Sequence, residues 1–485
     1  MKSAIRKFYH RRDLVVFVFL VFFFSRLPHA LGESEKQNQA VRQEETISGI
    51  EQSHESSENL ESKKEARRAP SVLFGGSLIS TFRDYNQIDN QKIKEDFLKW
   101  SWKQDLYLWS YLNYQATHSV LARFLMSTIN RDTGPTYTGV GNDSQGPDIQ
   151  ALYYELNLEP VFQAPLKITT GRQHFFLGRG IAYSAFDDGL QIENHFGSFR
   201  QKHFAALSPP HSDNIDYSAP GFDKEGQRAF FGSETVYSGF EDIALYAYGL
   251  IQRDKSSQIP EDPRQNYHYK SSYLGLGATW SPDKHLKIGS EIIREGGQSY
   301  TDVLRVPLRK TRVQSLGAAL NINYAFEGDW HPVLDLDYAY GSGEETRTSV
   351  TNTDGGSTRS RDNNFLYFGY YLAGYAFQPR LSNIHIVSAG VSTKPFPEIP
   401  FFRRIILGTK YYVFRKDRES GGTSDLESTN ASRDLGEEWD VYLHWKIREN
   451  WSAIFRSGVF WPGGSFPDEQ RDNTTYSSVS LSWNF

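Results

Sequence analysis

The sequence predicts an all-β, membrane-spanning antiparallel barrel of the up-and-down kind with about 18 strands, and three observations predict it. An apolar leader opens the chain, an alternation of oily and polar side chains recurs along its length, and the last strand-like segment ends on an aromatic residue, Phe485.

The leader begins with Lys2, Arg6, Lys7, Arg11 and Arg12, continues through LVVFVFLVFFF at 14–24 and reaches small residues at Ala30 and Gly32. A basic region, an apolar run of about 7–15 residues and a small-residue cleavage site define an export signal, whereas a spanning helix needs about 20 apolar residues. Residues 1–32 are therefore read as a signal peptide. Their removal takes away six Lys or Arg and one Asp, leaving 47 basic and 57 acidic side chains, a net charge near −10 with His neutral. That balance excludes a uniformly basic surface for nucleic acid. There is no cysteine, so disulfides and thiolate metal sites are excluded although an exported protein could form disulfides.

Residues 33–70 form a polar tract without one aromatic side chain. Such a composition cannot bury enough apolar surface to fold by itself, and it predicts a disordered periplasmic extension. The composition changes at Ser71, where VLFGGSLISTF begins, and residues 71–485 read as the barrel.

Within that region the period is two. Leu98, Trp100 and Trp102 alternate with Lys99, Ser101 and Lys103; Leu152, Tyr154, Leu156 and Leu158 with Tyr153, Glu155 and Asn157; Leu316, Ala318, Leu320 and Ile322 with Gly317, Ala319 and Asn321. The last segment, TTYSSVSLSWNF, sets Val479, Leu481, Trp483 and Phe485 against Ser478, Ser480, Ser482 and Asn484. Alternation over about 9–11 residues suits a strand with lipid on one side and a hydrated lumen on the other. A soluble sandwich would also alternate, but its polar face would carry many charges. Here that face is mostly Ser, Gly, Asn and Tyr with isolated Lys, Arg, Asp or Glu. Connections such as SPDKH at 281–285 and REN at 448–450 are short, whereas 208–227, 253–270, 342–364 and 417–436 are long and polar. Short turns at one end and long loops at the other are usual for bacterial outer-membrane barrels, whose strand number is even.

Three stretches carry a resemblance to a known family. Residues 166–193 read LKITTGRQHFFLGRGIAYSAFDDGLQIE, with Gly171-Arg172-Gln173 near one strand's end and Asp187-Asp188-Gly189 near the next strand's start. Residues 362–394 contain the run Leu381-Ser382-Asn383-Ile384-His385 leading into a strand, and residues 435–464 open on Leu-Gly-Glu and close on Phe-Trp-Pro-Gly-Gly. Together they resemble the alginate export family of outer-membrane barrels, and so does the final strand ending in Phe. The resemblance implies an 18-stranded monomer that passes an acidic polysaccharide outward through an Arg-rich and Lys-rich constriction, with loops or turns partly plugging it. Residues 33–70 match nothing in that family; a periplasmic export component is a further candidate partner, beside the polysaccharide and outer-membrane lipid.

A polyuronate carries one carboxylate per sugar, so such a pore needs fixed cations to replace lost hydration and nearby acids to prevent overtight binding. Parity places Lys99, Lys103, Lys287, Lys410, Lys446 and Arg456 opposite the lipid face; for Arg456 the other parity holds Trp451, Ala453, Phe455, Val459 and Trp461. A lone Arg at the lipid midplane would cost about 2–4 kcal/mol, which gives the parity its energetic reason. Counting from Ile168 puts Arg172 on the lipid side, while the resemblance puts it in the pore. A bulge at Gly171 or a strand ending there would reconcile the two, and Arg172 is assigned to the pore on that basis. Arg179, Arg200 and Lys202 are expected to join the same ring, with Asp187, Asp188 and Glu193 as counter-charges.

Other chemistries are less well supported. His174, His195, His203 and His211 lack metal-ligand spacing, Asp187-Asp188 is a weak cation signature, and no Ser, His and acid set is signalled by spacing. The reading is therefore a non-enzymatic channel without metal or cofactor. A porin for uptake of small anions or sugars is the alternative, and an enzyme or adhesin would rest on the long loops alone.

Overall fold

The computed structural model describes residues 70–86, 100–131, 142–162, 165–209, 226–256, 269–301, 310–347 and 361–485. The expected signal peptide, nearly all of the 33–70 tract and Lys99 lie outside them.

The described residues form nineteen strands in one sheet, of which the two-residue Arg361–Asp362 only extends an edge, pairing in parallel with Lys310–Ala325. The other eighteen run antiparallel to their neighbours, and the sheet closes because the first, Ser71–Asn86, pairs with both Trp100–Tyr114 and the last, Thr474–Asn484. Closure removes the free edges that a membrane would leave without hydrogen bonds. The expected barrel and its strand number are thus what the chain adopts.

Periodicity becomes burial directly. In the last strand Ser478, Ser480 and Ser482 are buried on the lumen side while Val479, Leu481 and Trp483 are exposed on the outer side. The seam is finished by reciprocal backbone bonds between Gly76 and Phe485, 2.9 Å in each direction. At the same end, two or three residues suffice to turn the chain at 115–117, 197–198 and 449–450, whereas the opposite end carries the long connections. By the usual asymmetry the short-turn end is periplasmic. Aromatic pairs belt that end, among them Trp451 with Trp483 and Phe401 with Trp445, as amphipathic rings do at a membrane interface.

The largest cluster of buried apolar side chains lies inside the barrel, where wall residues Phe175, Phe204, Phe230, Phe414 and Phe460 pack against Tyr183, Phe365 and Tyr367 from loops. The loops supplying these residues shape the channel.

Candidate functional site

Two segments from the long-loop end fold into the lumen. The first, 177–183, follows the strand Leu166–Phe176 and turns tightly at Gly178 and Gly180, both at positive φ. Glycine adopts that backbone conformation without steric cost. Leu177, Ile181, Ala182 and Tyr183 are buried, and the Tyr183 hydroxyl donates to Asp187 at 2.5 Å. Burial first, then the Asp187 charge, push the Tyr183 pKa well up, so this hydroxyl stays a donor.

The second segment, 363–383, lies across the first. Phe368 N–H donates to the Ala182 carbonyl at 3.0 Å, and Tyr370 N–H to the Gly180 carbonyl at 2.9 Å. Gly369 sits between them so closely that a Cβ would come 1.8 Å from the Gly180 oxygen. Sequence reasoning named several long loops without identifying those that turn inward.

Carboxylates on the lumen wall hold both segments. Glu234 accepts the Gly178 N–H at 2.5 Å, and Glu291 accepts the Arg179 N–H at 2.8 Å. Glu295 accepts the Leu366 N–H at 2.9 Å, and Glu438 accepts three successive N–H groups, from Tyr375, Ala376 and Phe377, at 2.5, 2.7 and 3.0 Å. These loop amides have no strand partner, and a buried carboxylate satisfies each without leaving its own charge bare. None of the four glutamates was singled out from the sequence. The available signal was an isolated acid on lumen parity, as with Glu291 and Glu295 flanking the outward Ile292 and Arg294.

The expected basic residues fall into distinct environments. Arg179 is exposed in the lumen, its Nη1 3.1 Å from the Gly289 carbonyl. Lys287 is exposed on lumen parity and has no ion-pair partner among the described residues. Arg200 is half-exposed, 3.9 Å from Glu234. Lys202 is buried, 3.2 Å from Glu234 and 3.9 Å above the Phe176 ring. Lys410 bridges Asp335 and Asp337. Arg456 is buried and lies 5.8 Å from the centre of the Tyr375 ring. Glu193 faces the lumen opposite Lys167 and Lys202 in register and lies 3.5 Å from His195.

Arg172 and Asp188 are a correction. No register break occurs at Gly171: pairing runs unbroken from Lys167 to Phe176 against the next strand. Instead, Gly171 takes φ +120 and allows close approach to Leu152, whose carbonyl would lie 2.3 Å from an added Cβ. Parity is preserved, so Arg172 and Asp188 emerge on the outer wall among exposed Ile149, Leu152 and Leu190.

Sequence reasoning also missed Arg83 and Arg123. With Lys103 and Arg456 they place four cations on the lumen side of five consecutive strands around the seam. Arg83 and Arg456 both face Ser478 in register, Lys103 lies 3.0 Å from Asp105, and Arg123 is 4.5 Å from the centre of the Tyr107 ring. The loop-holding carboxylates Glu234, Glu291, Glu295 and Glu438 stand on other strands. This arrangement gives the lumen a cationic sector bordered by tyrosines, with Glu438 on the strand next to that of Arg456 and Glu234, Glu291 and Glu295 on strands farther round the barrel.

Comparisons agree with this architecture. The sequence profile of the alginate export family matches residues 83–480. Among solved structures, the chain is similar to OccK8 (OprE) of Pseudomonas aeruginosa, at 12% identity and TM-score 0.52, covering 86% of this chain and 98% of that one. It is likewise similar to OccAB4 of Acinetobacter baumannii, at 11% identity and TM-score 0.51, with 86% and 98% covered. At these identities the likeness concerns the fold alone. No curated protein matches the sequence.

Proposed function

The chain belongs to the alginate export family, and from that premise we propose that it passes an acidic, alginate-like polysaccharide outward through an Arg-lined and Lys-lined lumen. Family, closed barrel and apolar outer wall make it an outer-membrane protein of channel type. The proposed transport is passive and electrostatically selective, and changes no covalent bond of the polymer.

The observation that carries this reading is the unequal use of charge in the lumen. Glu234, Glu291, Glu295 and Glu438 are occupied by loop amides, whereas Arg179, Arg200 and Lys287 keep exposed side chains. A polyanion entering from the periplasm therefore meets cations, and the neighbouring acids limit how tightly it is held.

Current through the purified protein in planar bilayers tests the proposal. Polyuronate is expected to block an anion-selective current, neutral glucan of equal length is not, and replacing Arg179, Arg200 and Lys287 by Gln should relieve the block. Equal block by both polymers, or an unchanged block in the triple variant, would instead favour a pore for small solutes.

A further inference from the structure

The outer wall carries a charge pattern separate from the channel. The strands Ile243–Asp254, Lys270–Trp280, Leu286–Thr301 and Lys310–Ala325 are neighbours. Near their long-loop ends, Lys270 pairs in register with Gln298, Gln298 with Arg312 and Arg312 with Arg361. Because Gln252 pairs with Ser271, Arg253 flanks Lys270 at the other end of this row. These side chains have the parity of exposed Ile251, Leu274, Ile292 and Leu316, and so stand on the membrane side of the wall. With strands about 4.8 Å apart, the row spans about 19 Å. Arg294, level with Leu274 and Leu316, sits about 13 Å down the strand from it.

The row is cationic, and it has no counter-charge among the described residues. Lys270, Arg294, Arg312 and Arg361 have no ion-pair partner among the described residues, and Arg253 donates only to its neighbour's carbonyl, at 2.9 Å. Other outward arginines near the same end are paired, Arg172 with Asp188 and Arg415 with Asp434. Like charges on neighbouring strands repel, so an anion seated on this row would lower its energy.

The surroundings define that anion. It must reach the long-loop end of a membrane wall, directly above exposed apolar side chains, so its charged head continues into an apolar tail. Between the row and Arg294 the wall is low: Ser272 and Gly296 face each other, and a Cβ on Gly296 would meet nothing nearer than 3.9 Å. Arginine matches phosphate oxygens in a bidentate fork, and a row of several cations suits more than one phosphate.

We propose that this wall is a docking site for a multiply phosphorylated lipid of the outer leaflet. Its phosphates lie on Arg253, Lys270, Arg312 and Arg361, Arg294 reaches the head from below, and the acyl chains cover Leu274, Ile292 and Leu316.

The test uses the full chain in phosphatidylcholine nanodiscs, titrated with bis-phosphorylated lipid A and read by native mass spectrometry. Wild type should bind at least about tenfold more tightly than it binds the dephosphorylated lipid. The variant combining Lys270→Gln, Arg294→Gln, Arg312→Gln and Arg361→Gln should lose that preference, while Arg415→Gln keeps it. Should the fourfold variant fail to fold, the two lipids on wild type decide the matter. Equal affinity for both lipids, an undiminished preference in a folded fourfold variant, or complete displacement by inorganic phosphate at matching concentration would each overturn the proposal. None of these readouts depends on the transported polymer.

Discussion

On the outer wall of the barrel, Arg172 and Asp188 form a two-pronged ion pair, with Nε and one terminal nitrogen of the guanidinium each 2.8 Å from a carboxylate oxygen. A third bond, 3.1 Å to the Ile149 carbonyl, ties the pair to the preceding strand. Because the pair faces away from the lumen, Arg172→Gln is expected to leave anion selectivity and any polymer block unchanged. Its effect should be on stability. Arg172→Leu leaves Asp188 alone on the membrane face and should cost about 2 kcal/mol, whereas Arg172→Leu with Asp188→Leu should recover most of that loss. Urea unfolding from lipid vesicles measures both; a large selectivity change in Arg172→Gln would return the residue to the pore.

Glu438 gathers three consecutive loop amides on one carboxylate, an arrangement that a neutral side chain cannot reproduce. Hydrogen bonds to a charged acceptor contribute about 1.5–3 kcal/mol each, so Glu438→Ala should loosen the inward segment without unravelling the wall strand. The expected result in simple salt is a larger and noisier single-channel current, with heat-modifiable gel mobility unchanged. Glu438→Gln should fall between, since an amide oxygen still accepts but its NH₂ meets further donors. A quiet current of wild-type size in Glu438→Ala would show that the segment is held by its aromatic packing instead.

Lys410 stands between Asp335 and Asp337, with Asn321 donating to Asp337 at 2.6 Å. Lys410→Gln removes the only cation in this contact and leaves two aspartates side by side. Anion selectivity, measured as reversal potential in a salt gradient, should therefore fall. Adding Asp335→Asn and Asp337→Asn should restore it, because the local net charge then rises again. Persistence of wild-type selectivity in Lys410→Gln would remove this cluster from the conduction path.

Where the sequence was informative, the reason was geometric. A strand's two faces are fixed by alternation alone, so the terminal Ser478, Ser480 and Ser482 could be assigned to the lumen without any structure. The same count sets Arg172 outside, against the motif resemblance and the cost of an arginine facing lipid, and the register running unbroken through Gly171 agrees with the count. The inward course of 363–383 was hidden for a different reason. It depends on pairs far apart in the chain, such as Phe368 with Ala182 and Leu366 with Glu295, and no local period encodes them. Arg83 escaped for a third reason, since its strand begins with exposed Val72, Leu73 and Phe74 before regular alternation is established.

Gly76 and Phe485 supply the last prediction. Their two backbone bonds close the seam, and the terminal ring lies so near that a Cβ at Gly76 would come 2.5 Å from a ring carbon and 2.7 Å from the Tyr107 carbonyl oxygen. The ring can swing aside, but the carbonyl belongs to the neighbouring strand and cannot move without breaking the ladder. Gly76→Val should therefore hinder closure, lowering the fraction that reaches the heat-modifiable folded form during refolding into lipid vesicles. Phe485→Ala removes the ring but keeps both backbone bonds, so the variant should fold in vitro nearly as well as wild type. If Gly76→Val folds with wild-type yield and Phe485→Ala does not, the terminal aromatic closes the seam through its side chain, and the backbone contact is secondary.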